Sequence, residues 1–288
     1  MPLVNGHQFI RQLENKRVLA GAFNTTNLET TLGILNAIER SNVPNFIQIA
    51  PTNARLSGYD YIYEMVQRRA AQMDVAISLH LDHGRNMDDI RQAVRAGFTS
   101  VMIDGAALPF EENIKLTRQA VEFCQNYNVP VEAELGAILG KEDDHVSEAD
   151  CKTDPQQVVE FVRETGCDLL AISVGNVHGL DDIPRIDLPL LAEIAQITPI
   201  PLVIHGGSGI ADSILQQFVN HRVVKVNIAS DLRRSFITSV GHAWQKNHNE
   251  ANLAAVMADA RQAVEHEVYA KILRLNDISE AAYAGDPV

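Results

Sequence analysis

The chain has 288 residues, 46% of them hydrophobic and 21% charged, with 17 glycines and 11 prolines. That composition excludes disordered, collagen-like and low-complexity proteins and leaves enough apolar surface for a large core. A formal net charge of −13 with no Lys/Arg cluster argues against nucleic acid as a partner.

Along the chain, short β-branched runs end in polar or glycine-rich loops, each followed by an amphipathic stretch. Strands are predicted over residues 18–24, 45–50, 75–81, 100–104, 129–134, 169–175, 201–205 and 223–227. These runs are apolar on both faces, as parallel strands covered by helices are. A helix over 27–40 aligns Leu28, Leu32, Leu35 and Ile38 on one face, and one over 110–126 aligns Ile114, Leu116, Val121 and Cys124. Thr153-Asp154-Pro155 starts another, with a capping residue and then proline in the first turn. A helix is predicted over 211–219. The stretch 231–275 is too long for one barrel helix and reads as the eighth helix plus a terminal one. Residues from about 277 to 288 read as a loose tail. Eight strand–helix units predict an α/β fold, a (β/α)8 TIM barrel with an extra C-terminal helix. No Pro-, Ser- or Gly-rich linker divides the chain, so a single domain over 1–288 is expected.

The start MPLVNGHQFI lacks the basic and apolar regions of a secretory signal, and no apolar run reaches membrane-spanning length. Cys124, Cys151 and Cys167 are odd in number and share no CxxC spacing, so they read as reduced thiols. A cytoplasmic protein with no membrane partner is expected.

Catalytic residues of such barrels lie at the C-terminal strand ends, and here those ends are polar. The third strand ends in His80-Leu81-Asp82-His83-Gly84, the fourth in Asp104-Gly105 and the fifth in Glu132-Ala133-Glu134-Leu135-Gly136. The sixth runs into Gly175-Asn176-Val177-His178-Gly179, the seventh into His205-Gly206-Gly207-Ser208-Gly209 and the eighth into Asn227-Ile228-Ala229-Ser230. His83, His178 and His205 therefore face one mouth from three strands, and three imidazoles with an open position suit a catalytic zinc. Any one of them alone reads more readily as a strand cap or a hydrogen-bonding loop residue, but three at corresponding positions, each next to glycine, are not accounted for that way. His80 alternates with Asp82 and reads as a core or supporting residue. His7, His221, His242, His248 and His266 read as solvated. Asp82 reads either as a partner of a backbone amide or as a general acid/base beside the metal. Asp104 and Glu134 would supply a second metal position, orient the histidines, or serve structure. Gly206–Gly209 and residues 227–230 each precede a helix, after the two strands where barrels habitually bind phosphate. The segment 137–151, with Lys141-Glu142-Asp143-Asp144-His145, is a solvated charge run or an active-site lid.

Taken together these motifs resemble the class II, zinc-dependent ketose-bisphosphate aldolases of the fructose/tagatose branch. The matching pieces are Ala22-Phe23-Asn24 with Asn27 and Glu29, Leu81-Asp82-His83-Gly84, Met102-Ile103-Asp104-Gly105 and Val131-Glu132-Ala133-Glu134-Leu135-Gly136. Glu142-Asp143-Asp144, Thr153-Asp154-Pro155, Gly175 with His178-Gly179, His205 to Gly209 and Lys225-Val226-Asn227 follow in order over residues 18–275. The resemblance implies zinc on His83, His178 and His205, with Asp104 and Glu134 receiving metal in an alternate position or binding a second metal or monovalent cation. It implies Asp82 as proton shuttle at the C4 hydroxyl and Glu142 for proton exchange at C3 of the dihydroxyacetone phosphate half. Asn24, Gly179, Gly206, Gly207, Ser208, Asn227, Ala229 and Ser230 would bind the substrate, most of them at its phosphate. A homodimer or homotetramer acting on a phosphorylated ketose is implied.

Two departures bear on the substrate. Where the family often has Ser for the distal phosphate, this chain reads Ala50-Pro51-Thr52, and Leu180 to Arg185 lacks the usual Tyr and Lys. Arg55, Arg85, Lys141, Arg185, and Arg233 or Arg234 across a neighbouring site, are the remaining local cations. A different metal-dependent barrel enzyme (epimerase or hydrolase) and a non-catalytic pathway subunit are the competing readings. The glycine loop weighs against the first; Asp82, Glu142 and the three histidines together weigh against the second.

Overall fold

The computed structural model describes residues 3–142, 145–147 and 151–278, with the backbone alone for residues 141, 142 and 145–147. All eight predicted strands form: β1 (Ala20–Asn24), β2 (Asn45–Ile49), β3 (Ile77–Gly84), β4 (Ser100–Ile103), β5 (Val131–Leu135), β6 (Leu169–Ile172), β7 (Leu202–Ile204) and β8 (Val223–Ile228). They pair in parallel and close into a barrel in the order β1-β8-β7-β6-β5-β4-β3-β2. The expected (β/α)8 TIM barrel is present.

The helices in chain order are α1 (Gly6–Lys16), α2 (Leu28–Ser41), α3 (Pro51–Ser57), α4 (Tyr59–Ala70), α5 (Met87–Ala96) and α6 (Phe110–Gln125). They continue with α7 (Pro155–Thr165), α8 (Leu188–Ile197), α9 (Asp212–Leu215), α10 (Ser230–Lys246) and α11 (Leu253–Leu275). Polar side chains start several of them where the sequence places a cap. Asn27 and Thr30 form a reciprocal capping box on α2, and Asp154 caps α7 ahead of Pro155. The 231–275 stretch splits into α10 and α11 as expected. The predicted helix over 211–219 does not run through: α9 stops at Leu215 and a 3₁₀ turn, Phe218–His221, follows. Leu215 and Phe218, both fully buried, are three residues apart, a spacing that a 3₁₀ turn serves as well as an α-turn. Residues 279–288 of the expected tail lie outside the described residues.

Apolar packing falls into two layers. The outer one lies between strands and helices and includes Phe23, Ile47, Leu79, Ile103 and Ile172. The inner one fills the bottom of the barrel with Ala20, Ala22, Phe46, Met102, Leu169 and Val203, and it takes Phe9, Ile10 and Leu13 from α1. Helix α1 therefore plugs the end away from the strand tips. At its start Gly6 sits so close that an added Cβ would lie 2.2 Å from the Thr99 carbonyl oxygen. Above this plug the interior turns polar, with His80, Ser100, Glu132 and Lys225 all at 0% exposure. The site sits on that polar layer.

The segment after β5 is a hairpin of strands Leu139–Glu142 and His145–Ser147, closed at its base by backbone bonds between Ala137 and Cys151. Its first strand pairs in parallel with a two-residue strand, Val177–His178. Among the described residues no helix is long and apolar enough to cross a membrane.

Candidate active site at the barrel mouth

Asp82 and His83 are consecutive on β3, so a regular strand would point them to opposite faces. Both reach the site because the β3–β4 register shifts between Leu81 and Gly84 and His83 adopts a left-handed backbone, φ +47°. Such a bulge re-aims a side chain at the cost of local pairing. Histidine is among the residues that enter the left-handed region more readily.

His83, His178 and His205 converge, with ring centroids 4.6 Å apart for His83–His205, 5.4 Å for His83–His178 and 5.9 Å for His178–His205. One ring nitrogen from each lies within 4.8 Å of the others. His83, Asp104 and Glu134 form a second set by the same measure, so His83 belongs to both. Carboxylates fix two of the rings. His83 Nδ1 meets Asp104 Oδ2 at 2.8 Å, and His205 Nε2 meets Glu132 Oε1 at 2.9 Å. Each of these nitrogens then carries the proton, which leaves a lone pair on His83 Nε2 and on His205 Nδ1. Those two nitrogens are 3.0 Å apart. Two lone pairs at that distance repel unless a cation sits between them, and imidazoles backed by carboxylates are the usual surroundings of a transition metal. The donor set fits a metal ion.

The electrostatics agree. Burial drives the His205 imidazole below its ordinary pKa, against the Glu132 hydrogen bond, which raises it. Burial raises the Asp104 carboxyl, but the His83 hydrogen bond prevails and holds it well below the usual carboxylate range. Burial likewise raises Glu132, but the Lys225 ammonium overrides it and holds the carboxyl well below the usual carboxylate range. His80, pushed far down by burial, bonds Ser100 through Nδ1 at 2.8 Å and lies 3.6 Å from Glu132. It is a supporting core residue, as its alternation with Asp82 indicates.

Asp82 is fully buried and accepts two amide hydrogen bonds: from Asn227 Nδ2 to Oδ1 at 2.9 Å and from Asn24 Nδ2 to Oδ2 at 2.7 Å. Both amides are themselves oriented. Gln48 Nε2 donates to Asn24 Oδ1 at 2.8 Å, and Lys225 Nζ donates to Asn227 Oδ1 at 2.8 Å. Sequence reasoning assigned no role to Glu132, Lys225 or Gln48. A charge inside a β-branched run, as in Val223-Val224-Lys225-Val226, was the signal available.

Glu134, His178 and His83 line a cleft of about 780 Å³ with Arg85, Asp104, Asn113, Cys151 and others. The hairpin reaches this cleft through its pairing with Val177–His178. At Gly140, φ +113°, an added Cβ would lie 2.2 Å from the His178 carbonyl oxygen, so glycine is needed for the contact. The side chains of Lys141 and Glu142 lie outside what the structure describes, as do residues 143 and 144. Gly206 is left-handed, and Gly207–Gly209 make a 3₁₀ turn packed on β8, where a Cβ at Gly207 would meet Val226 at 2.3 Å. Ser208 Oγ accepts from the Asp231 amide at 3.4 Å, which joins this turn to the start of α10. The cap position of α10, Ala229, supplies no side-chain hydrogen bond. Ala50 likewise starts α3 without a hydroxyl, and Arg55 donates to Thr52 Oγ1 at 3.2 Å. Gly179 lies just beyond His178 with φ +89°.

Comparison with known proteins follows the same lines. The family model for class II fructose-bisphosphate aldolase matches residues 4–279. A fructose-bisphosphate aldolase of Geobacillus stearothermophilus is 34% identical over 286 residues, 98% of this chain and 100% of that protein. The crystal structure of the YdjI aldolase from Escherichia coli K12 superposes with a TM-score of 0.82 at 29% identity, covering 97% of this chain and 99% of that one. A fructose-bisphosphate aldolase from Campylobacter jejuni gives 0.82 at 20% identity over 96% of each chain, a likeness of fold.

Proposed function

The chain belongs to the class II fructose-bisphosphate aldolase family, metal-dependent lyases of phosphorylated sugars, and from that premise we propose that it is a zinc enzyme cleaving a ketose 1-phosphate or 1,6-bisphosphate to dihydroxyacetone phosphate and an aldehyde. The observation that carries this reading is the convergence of His83, His178 and His205 beside Asp82 at the barrel mouth. When bound, zinc would supply an electrophile against the negative charge that builds at the ketone as the C3–C4 bond breaks. With the metal in place no lysine Schiff base is needed. Asp82 takes the C4 hydroxyl proton in cleavage and returns it in condensation. Glu142 exchanges the proton at C3. Asp104 and Glu134, with His83, offer a second position for a metal or monovalent cation.

The substrate phosphate would be held by Gly179, Gly206, Gly207, Ser208, Asn227, Ala229 and Ser230, with Asn24 near the sugar. The start of α10 supports this reading, because Ala229 gives its first-turn amides no cap of its own, Ser208 Oγ accepts from the Asp231 amide, and these amides form the positive end of a 17-residue helix. Free thiols at Cys124, Cys151 and Cys167 support a reducing, cytoplasmic setting.

The test is release of dihydroxyacetone phosphate from a panel of ketose phosphates. Absence of cleavage across the whole panel overturns the reading. Within the panel, fructose 1,6-bisphosphate is expected to be a poor substrate relative to a ketose with a different distal group or stereochemistry. Ala50 offers no hydroxyl to a distal phosphate, and Asp181 and Asp182 add negative charge beside the cleft that holds Arg185. One lost charge-assisted hydrogen bond costs about 1.5–3 kcal/mol, roughly ten- to a hundredfold in affinity. A kcat/KM that clearly favours fructose 1,6-bisphosphate would show that other cations compensate.

A homodimer or homotetramer completes the proposal. Of the 17 residues of α10 only Leu232 is buried, and Ile237 and Trp244 are 68% and 56% exposed. Sedimentation at micromolar concentration should find at least two chains per particle, and replacing Trp244 or Ile237 with Asp should weaken the assembly. A monomer at all concentrations overturns this part.

A further inference from the structure

Lys225 stands in the middle of the barrel at 0% exposure, below the catalytic layer, and no function has so far been attached to it. We propose that Lys225 is a positioning residue that orients two limbs of the site at once, Asn227 with Asp82 on one side and Glu132 with His205 on the other. This deepens the aldolase reading and rests on it for the role of Asp82.

The argument is one of hydrogen-bond polarity. An ammonium group has three donors and no acceptor, so every polar atom it meets must accept, and the accepting end of an amide is its oxygen. Its Nζ is 2.8 Å from Asn227 Oδ1 and 2.9 Å from Glu132 Oε2, with the Phe46 ring centroid 5.8 Å away. On the first side, an amide whose oxygen faces Lys225 must present its nitrogen to Asp82, and Asn227 Nδ2 does so at 2.9 Å. Without Lys225 the oxygen end of the amide loses its donor, and only the contacts of its nitrogen with Asp82 and the His205 ring hold its orientation. A rotated amide would aim its oxygen at the carboxylate. On the second side, Glu132 gives one oxygen to Lys225 and the other to His205 Nε2 at 2.9 Å. Holding the proton on Nε2 leaves the His205 Nδ1 lone pair facing His83. Strands β5 and β8 are not neighbours in the barrel, so Glu132 and Lys225 meet across its interior, and the lysine ties opposite walls together.

Two other roles make different predictions. A Schiff-base lysine must reach the substrate carbonyl as a free amine. Lys225 is instead sealed beneath Asn227 and paired with a carboxylate. A lysine that only balances the Glu132 charge would become dispensable once that charge is removed.

The test uses Lys225→Met, which removes the ammonium and keeps the bulk, and the double variant Glu132→Gln with Lys225→Met. The second removes both charges and keeps an amide oxygen for His205, so it remains informative where the first fails to fold. Cobalt binding to the metal-stripped proteins is read by competition with a chelator, alongside kcat and KM. Lys225→Met should bind cobalt roughly 10–100-fold more weakly and lose kcat, the usual scale for groups that orient metal ligands. The double variant should regain cobalt affinity to within about threefold, yet keep a kcat at least about tenfold down with KM little changed, because Asn227 stays unanchored. Wild-type kcat in the double variant reduces Lys225 to a counter-charge and overturns the proposal. Wild-type cobalt affinity and kcat in Lys225→Met, or a borohydride-trapped adduct on Lys225, overturn it too. Should the wild type bind cobalt but cleave no ketose phosphate, the aldolase reading falls while the cobalt comparison still decides the role of Lys225.

Discussion

Stripping the protein of metal should abolish ketose-phosphate cleavage, and zinc or cobalt should restore it. Among the described residues that line the cleft there is no lysine to act as a substitute electrophile. Lys225, in the barrel interior, is held by Glu132 and Asn227, and the facing nitrogens of His83 and His205 are acceptors. In the stripped protein the lone pairs of His83 Nε2 and His205 Nδ1 face each other at 3.0 Å, an arrangement that costs energy until a cation relieves it. Refilling should therefore stabilise the fold as well as restore turnover. At a metal concentration one hundred times Kd the gain is about 2.7 kcal/mol, visible as a rise in melting temperature. His83→Ala should lose both effects, since His83 belongs to both donor sets. The measurement pairs dihydroxyacetone phosphate release with thermal denaturation before and after exhaustive chelation. Undiminished turnover in the stripped protein would remove zinc from the proposal.

How far the sequence led can be judged residue by residue. The eight β-branched runs marked the barrel because parallel strands must be apolar on both faces, and their polar tips marked the mouth. The convergence of His83, His178 and His205 followed from that placement. The inward aim of Asp82 and His83 together did not, because it depends on a bulge and a left-handed residue that a period-2 pattern cannot encode. Helix α1 carries an ordinary apolar stripe of Phe9, Ile10 and Leu13. Only the closed barrel shows that this stripe fills its lower end. Glu132 and Lys225 were visible as charges in apolar strands, and their alternation with Glu134 and Asn227 put each pair on one face. That they meet depends on strand order, since β5 and β8 face each other across two intervening strands. The stretch 137–151, read as a solvated charge run or a lid, contains two paired strands, and the pairing of the first with Val177–His178 ties the strand of Glu142 to a candidate metal ligand. Local pattern located the functional residues; the connections among them are tertiary.

Asp82→Asn should lower kcat by about 10²–10⁴, the usual scale for a positioned acid/base, while metal binding and KM change little. The carboxylate stands at the crossing of two oriented amides, Asn24 donating to Oδ2 and Asn227 to Oδ1. Those bonds fix its plane beside His83, whose Nε2 is 3.9 Å from Oδ1. An amide at this position has the same shape but one N–H₂ group where the site presents only donors. Either that group faces a donated N–H, or Asn24 or Asn227 turns and gives up its bond to Gln48 or Lys225. Leaving one buried polar group unsatisfied costs about 1–3 kcal/mol, so a modest fall in melting temperature should accompany the loss of turnover. The two effects are separable. Metal affinity depends on His83, His178 and His205, which the substitution leaves in place, so cobalt binding should match the wild type. Proton exchange at C3 of dihydroxyacetone phosphate offers a second readout. It is assigned to Glu142 and needs no transfer at C4, so it should survive in the variant when cleavage does not. Loss of C3 exchange in step with cleavage would make Asp82 part of the general architecture, and a kinetically silent Asp82→Asn would leave it no part in proton transfer.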